Sequence, residues 1–310
     1  MLRTSVGERP TCSTEHYTNI SELGGVRMLS AAVDAKGEAQ RPSGRQLSQQ
    51  QQQQQYTAAS DMGIEKYAGR VALVTGASSG MGAAIAQELL KHGIHVVGLA
   101  RRVELIKALE VKGSPGKLYA IQGDVGKEES ILSAFKWIRE NLNGVDILVN
   151  SAGVDHETDF VSGETEHWRQ MFEVNELGLA ICSREAVQDM MRRGVDDGFI
   201  IHISSIAAHV PVFIDGFGMH SVNKTAVRVM AEGLRKDLVA KKSKIRVGQI
   251  SPGFVKTNGI NQSEKWAQIF DTMPYLEVED IAKAVVYMLS QPPRVQVHDI
   301  IIRPTAEFYG

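Results

Sequence analysis

The stretch that most constrains this chain is "VALVTGASSGMGAAIAQELLKHG", residues 71–93. A short β-branched run leads into a turn carrying Gly76, Gly80 and Gly82. An amphipathic helical pattern follows and stops at Gly93. Glycines let a backbone turn approach a phosphate closely, and the free N–H groups and dipole at the start of a helix favour negative charge. Strand, glycine turn and helix therefore stand in the order that a dinucleotide site needs. Gly76, Ser78, Ser79, Gly80, Met81 and Gly82 are its candidate contacts. The alternative, a tight turn without a ligand, loses weight as further residues of the same groove come into view.

Six more apolar runs follow at intervals: "HVVGLA", "KLYAIQ", "VDILVN", "GFIIHIS", "IRVGQI" and "DIIIRP". Amphipathic segments separate them, which implies βαβ units and a parallel sheet. The runs are nearly continuous rather than alternating, as expected when helices cover both faces. The expected fold class is α/β, a doubly wound seven-stranded parallel sheet of Rossmann type in one domain, residues 63–310. Long helical patterns at 165–193 and 219–241 are candidates for subunit packing.

Residues 1–62 carry Ser, Gly, Arg and Gln without period and end in "QLSQQQQQQQY". Such composition cannot bury enough apolar area to offset its ordering entropy, so a disordered Gln-rich extension is expected. A regulatory tail is the other reading. With 34 basic and 36 acidic residues, the net charge of −2 gives no electrostatic reason to expect nucleic acid as a partner. No apolar run reaches the roughly 18 residues of a membrane span, and the N-terminus lacks the apolar core of a signal peptide. Cys12 and Cys182 are the only cysteines, which fits a reducing, cytoplasmic setting without disulfides. No metal site is expected.

The second strand ends in "GLARR", where NAD-preferring sites place an acid that binds the ribose 2′-hydroxyl. Arg101 and Arg102 stand there instead, and a guanidinium binds a 2′-phosphate with forked hydrogen bonds. NADP(H) is the expected cofactor. Two arginines solvated at a helix start are the alternative. Asp124 and Val125 in "GDV" follow the third strand, with Asp124 placed to accept from the adenine amino group. Asn150, Ala152 and Gly153 in "NSAG" end the fourth, at the sheet edge where ligands bind.

These residues resemble the classical short-chain dehydrogenase/reductases over roughly residues 66–305. "TGASSGMG" is similar to that family's TGxxxGxG, and "NSAG" to its NNAG. Asn175 in "VNELG", Ser205 in "HISS", Lys224, and Pro252, Gly253, Val255 and Thr257 in "SPGFVKT" fall in the family's order. Finer features, "VDDGFIIHISS" and the ending "IRPTAE", resemble the branch containing insect farnesol dehydrogenases and a vertebrate cytosolic ketosteroid reductase. The resemblance implies NADP(H), a lipophilic alcohol or carbonyl as substrate, and a homodimer or homotetramer. It also implies catalytic roles: Asn175 for a water relay, Ser205 for the substrate oxygen, and Lys224 for the nicotinamide ribose.

The departure is "GMHSVNK", residues 218–224. Where the family has a proton-transferring tyrosine, this chain has His220. Hydride transfer to a carbonyl leaves an alkoxide that must be protonated, and the reverse reaction needs a base. A histidine has an ordinary pKa of about 6.5 against about 10 for tyrosine, and positive charge from Lys224 and an oxidised nicotinamide would favour the neutral ring. That state suits removal of a proton from an alcohol, so reductase activity is expected to fall as pH rises through neutrality. Imidazole is also shorter than phenol, and a displacement of about 1 Å can cost on the order of a hundredfold in rate. Two readings stay open: an enzyme that uses His220, and an NADP(H)-binding protein without turnover.

Apolar residues in the two segments flanking the nicotinamide are candidates for a water-excluding substrate wall. They are Val212, Phe213, Ile214 and Phe217 on one side, and Ile260, Trp266, Ile269 and Phe270 on the other. Ordinary packing is an equal reading for each. The segment Thr257 to Ser263 is a candidate to close over substrate.

Overall fold

The computed structural model of the 310-residue chain describes residues 63–109, 111–210, 215–257 and 271–307. The Gln-rich extension, the wall residues Val212 to Ile214 and Ile260 to Phe270, and most of the segment after Thr257 lie outside the described residues. The elements run β1 (Val71–Thr75), α1 (Gly80–Lys91), β2 (His95–Ala100), α2 (Val103–Lys107), β3 (Leu118–Gln122), α3 (Glu128–Leu142) and β4 (Ile147–Asn150). There follow α4 (Thr165–Phe172), a π-helical turn (Glu173–Gly178), α5 (Leu179–Arg192), β5 (Phe199–Ile203), α6 (Gly218–Ala240), β6 (Arg246–Pro252), α7 (Val278–Ser290) and β7 (Asp299–Ile302).

The seven strands form one sheet in the order β3-β2-β1-β4-β5-β6-β7, and every pairing is parallel. β1 is flanked by β2 on one side and β4 on the other, with Thr75 opposite both Leu99 and Asn150. The winding reverses between β1 and β4, and at such a switch point a crevice opens beyond the carboxyl ends of the strands.

Successive strand residues point to opposite faces, so the apolar runs divide into two cores. Ala72, Val74, Val149 and Ile201 pack with Ile85 and Leu89 of α1 and with Val285 and Met288 of α7. Leu73, Leu148, Ile200 and Val247 pack with Phe135 of α3, Ile181 and Met190 of α5, and Leu238 of α6. Burying a Leu, Ile or Phe side chain stabilises by about 1.5–3 kcal/mol, so both layers hold the sheet rigid beneath the crevice. The buried Arg246 is not left unpaired. It lies 4.5 Å over the Phe199 ring and donates to the Tyr67 hydroxyl at 2.6 Å and to the Val295 carbonyl at 3.1 Å.

The two long helical patterns are realised closely. The second is unbroken as α6. The first is α4 and α5 joined by the π-helical turn, and that turn holds Asn175. A π turn is a local slip in hydrogen-bond register and is frequent at functional sites.

Candidate active site

α1 starts at Gly80, and its N-cap residue Ser79 makes no side-chain cap to the helix. The first N–H groups of a helix have no partner within it, and here they open onto a cavity of about 760 Å³ lined by the turn from Gly76 to Gly82. The turn must be glycine-rich for two reasons. Gly76 has φ +69°, and a Cβ there would stand 2.7 Å from the Ala152 Cα. A Cβ on Gly82 would meet the Gly76 carbonyl oxygen at 2.5 Å. The turn is also tied to β4, because the Thr75 hydroxyl accepts from the N–H groups of Ser151 and Ala152, each at 3.1 Å.

Arg101 and Arg102 flank the same cavity. The Arg102 guanidinium donates to the Ser79 hydroxyl at 3.1 Å and so hangs over the glycine turn. Asp124 and Val125 lie beside them, with one Asp124 carboxylate oxygen accepting from the Gly126 N–H at 3.0 Å. Ala152, Gly153, Ser205, His220 and Lys224 continue the wall, and Pro252, Gly253, Val255 and Thr257 close it from the far side. Ser205 caps the short 3-10 turn Ile206–Ala208, its hydroxyl accepting from the Ala207 N–H at 3.2 Å.

Two sequence candidates stand elsewhere. Asn150 is buried, on the same sheet face as Leu148, and donates to the Ser183 hydroxyl at 3.1 Å. Its side chain belongs to a polar row across the strand ends, where Thr75, Asn150, His202 and Gln249 lie in register. The cavity forms from the residues after the strand, not from its last side chain. Asn175 is likewise buried, behind the wall. Its amide clamps Val154, accepting from the N–H at 2.9 Å and donating to the carbonyl at 2.8 Å. It also donates to the Asn223 Oδ1 at 3.3 Å, and Asn223 in turn donates to Glu176 at 2.6 Å.

Lys224 lies one helical turn beyond His220, and its ammonium donates to the Ile203 carbonyl at 3.3 Å. Burial pulls its pKa down, while the nearby carboxylates of Asp155 and Glu176 resist. Burial pushes the Glu176 carboxyl up to about 6 against the hydrogen bond from Asn223 and the charge of Lys224.

Besides the positive neighbours expected for His220, the structure gives it a negative one. Asp155, in the loop after β4, sets its Oδ1 2.7 Å from the His220 Nδ1. Burial would raise the Asp155 pKa. The hydrogen bond from His220 and the charges of His220, Lys224 and His156 outweigh it, so the carboxyl is held below its ordinary range. Phe217 sets its ring edge-on to the imidazole with centroids 6.2 Å apart. Asp155, Glu157, Phe254, Met273 and Glu307 line the cavity without having been anticipated. No spacing rule joins Asp155 to a histidine 65 residues away.

A dinucleotide needs an uncapped helix start for its pyrophosphate, a backbone that comes close, and polar groups at the two rims. The α1 start, the turn at Gly76 and Gly82, and the Arg102 and Lys224 rims meet those needs. The residues present fit a nicotinamide dinucleotide.

Comparison with known proteins agrees. The sequence profile described as short chain dehydrogenase matches residues 70–268. Dehydrogenase/reductase SDR family member 11 of Gallus gallus is 44% identical over 253 residues, covering 79% of this chain and 99% of that protein. Farnesol dehydrogenase of Aedes aegypti is 42% identical over 248 residues, with the same coverage of both. Among solved structures, L-sorbose reductase from Gluconobacter frateurii, in complex with NADPH and L-sorbose, superimposes with a TM-score of 0.69. It is 26% identical, and the match covers 79% of this chain and 97% of that one.

Proposed function

The chain belongs to the short chain dehydrogenase family, and we propose that it is an NADP(H)-dependent oxidoreductase interconverting a lipophilic alcohol and its aldehyde or ketone. The observation that carries this reading is one continuous cavity. It runs from the glycine turn and the two arginines, past Ser205, His220 and Lys224, to Phe217, Phe254 and Met273. Phosphate-binding, proton-transferring and apolar surfaces thus meet in a single space. The farnesol dehydrogenase relative and the NADPH complex of the sorbose reductase support the substrate class and the cofactor.

When bound, the nicotinamide would donate or accept the hydride. The residues of this chain do the rest. The α1 start, with Arg101 and Arg102, binds the phosphates. Lys224 faces the nicotinamide ribose, and Ser205 holds the substrate oxygen. His220 takes the hydroxyl proton in oxidation or returns one to the alkoxide in reduction. Asn175 serves through the clamp on Val154 and the path to Asn223. The second reading, NADP(H) binding without turnover, is favoured by the histidine where the family has tyrosine.

The helices expected at a subunit interface carry exposed apolar side chains: Phe172, Leu177 and Met191 on the first pattern, and Val222, Val229 and Val239 on the second. We read these as the contact of a homodimer or homotetramer. Among the described residues no helix is long and apolar enough to cross a membrane. The reducing setting expected of its cysteines is what supports reading the protein as cytoplasmic.

The cofactor assignment is tested by Arg101→Asp and Arg102→Asp, with NADPH and NADH titrated by nucleotide fluorescence. A hydrogen-bonded ion pair contributes about 1.5–3 kcal/mol, so NADPH affinity should fall about tenfold to a hundredfold in the variant that loses the phosphate reader. NADH affinity should change little. Equal loss for both cofactors in both variants would overturn the assignment. Oxidation of farnesol and of hydroxysteroids with NADP+ tests the substrate class, and turnover of small polar alcohols alone would refute it.

A further inference from the structure

Whatever proton chemistry His220 performs depends on which ring nitrogen carries hydrogen, and the structure contains a group that settles this. The Asp155 Oδ1 lies 2.7 Å from the His220 Nδ1, and only 17% of the His220 side chain is exposed. Asp155 lies in the loop five residues beyond the end of β4, next to Val154, whose N–H and carbonyl are both held by the Asn175 amide. An ionised carboxylate only accepts hydrogen bonds. The nitrogen facing it must therefore be the donor. In the neutral ring the lone pair then sits on Nε2, and in the protonated ring Nε2 carries the second hydrogen.

We propose that Asp155 is a positioning residue for His220: it holds the imidazole in the Nδ1–H tautomer and in one rotamer, so that the pair replaces the phenol found elsewhere in the family. The inference rests on the reading of His220 as the proton-transfer group. It goes beyond that reading by assigning a residue for which neither the resemblance nor the comparisons give a role.

The chemistry balances. In alcohol oxidation the substrate O–H bond breaks and its proton goes to Nε2. The hydride leaves the carbinol carbon for the nicotinamide of NADP+, and the C–O bond becomes a carbonyl. The resulting imidazolium is stabilised by the Asp155 carboxylate, which keeps its own charge throughout. Reduction runs the same steps in reverse. Lys224, on the same helix as His220, and His156, beside Asp155 on the loop, also act on the Asp155 carboxylate, while Glu157 and Glu307 line the cavity. Glu176 acts on Lys224 from behind the wall. Asp155 is hydrogen-bonded to the ring itself.

The test compares wild type, Asp155→Asn, Asp155→Glu and His220→Phe in the full chain. Asparagine can turn its NH2 group toward Nδ1, which would force the other tautomer and leave Nε2 without a lone pair. In wild type, 15N chemical shifts of His220, assigned by loss of its signals in His220→Phe, should show Nδ1–H. In Asp155→Asn they should show Nε2–H. kcat for farnesol oxidation should fall about a hundredfold or more in Asp155→Asn, with KM and NADPH affinity little changed, and Asp155→Glu should recover part of it. An Nε2–H tautomer in wild type would overturn the proposal. So would an unchanged kcat in Asp155→Asn while His220→Phe is inactive. Loss of NADPH binding in Asp155→Asn would instead assign Asp155 to loop structure and overturn it. Full activity in His220→Phe would remove the underlying reading itself, a different and distinguishable failure.

Discussion

Three glycine-to-alanine substitutions separate the two physical reasons for glycine in this fold. Gly69 has φ +78°, and an added Cβ there would have nothing within 4 Å. Gly76 has φ +69°, and its Cβ would lie 2.7 Å from the Ala152 Cα and 2.9 Å from the Ala152 nitrogen. Gly82 sits in α1 with ordinary backbone angles, but its Cβ would lie 2.5 Å from the Gly76 oxygen. The left-handed backbone costs an alanine about 1–2 kcal/mol, offset by about 0.4–1 kcal/mol from stiffening the unfolded chain. Gly69→Ala should therefore destabilise by about 0.5–1.5 kcal/mol. Gly76→Ala carries the same term plus about 1–3 kcal/mol of overpacking against immovable backbone, for a total of about 2–4 kcal/mol. In Gly82→Ala the clash is partly offset by about 1 kcal/mol of helix propensity, so stability changes less. The turn is nevertheless pushed outward, and NADPH affinity should fall about tenfold or more. Urea unfolding followed by tryptophan fluorescence, with m unchanged, reads the first two values. Gly76→Ala no more destabilising than Gly69→Ala would refute the close approach of the turn to residues 151 and 152.

Two further outcomes follow from buried titratable groups. His202 is fully buried, and desolvation pulls its pKa down to about 4. Between about pH 4 and 6.5 the unfolded chain therefore holds a proton that the folded chain does not, and stability falls as pH falls through that window. In His202→Gln the loss in unfolding free energy from pH 7 to 4.5 should be smaller by about 2 kcal/mol, and an unchanged acid limb would contradict the cause given. Burial pushes the Cys182 thiol up to about 12, so in folded protein it should resist alkylation by iodoacetamide at pH 8 and react on unfolding in urea. Modification of Cys182 in the native state would show that α5 is not packed as described.

The architecture was legible in the sequence because its signals are local. The run "VALVT", the glycine turn and the helix stop at Gly93 fall within 23 consecutive residues, and β1 and α1 form where that pattern places them. The strand order needed the structure. So did the π-helical turn at Asn175, because a register slip inside an amphipathic helix leaves the apolar periodicity almost intact. Asn150 reads as a groove residue by its place at a strand end. Strand alternation instead turns it to the face shared with Leu148 and into contact with Ser183. Asp155 was the least visible. Its meaning comes only from a partner brought to 2.7 Å by the fold of α6 against the loop after β4.

The claim at the centre of this account is that His220 moves the substrate proton in a dinucleotide site that is otherwise complete. Single-turnover oxidation of farnesol by NADP+, followed by NADPH absorbance in wild type, His220→Phe and His220→Tyr, tests it most directly. Wild type should form NADPH, and His220→Phe should be slower by about a hundredfold or more while binding NADPH as wild type does. Tight NADPH binding by a wild type that forms no product, with turnover appearing only in His220→Tyr, would contradict it and establish a cofactor-binding protein without turnover.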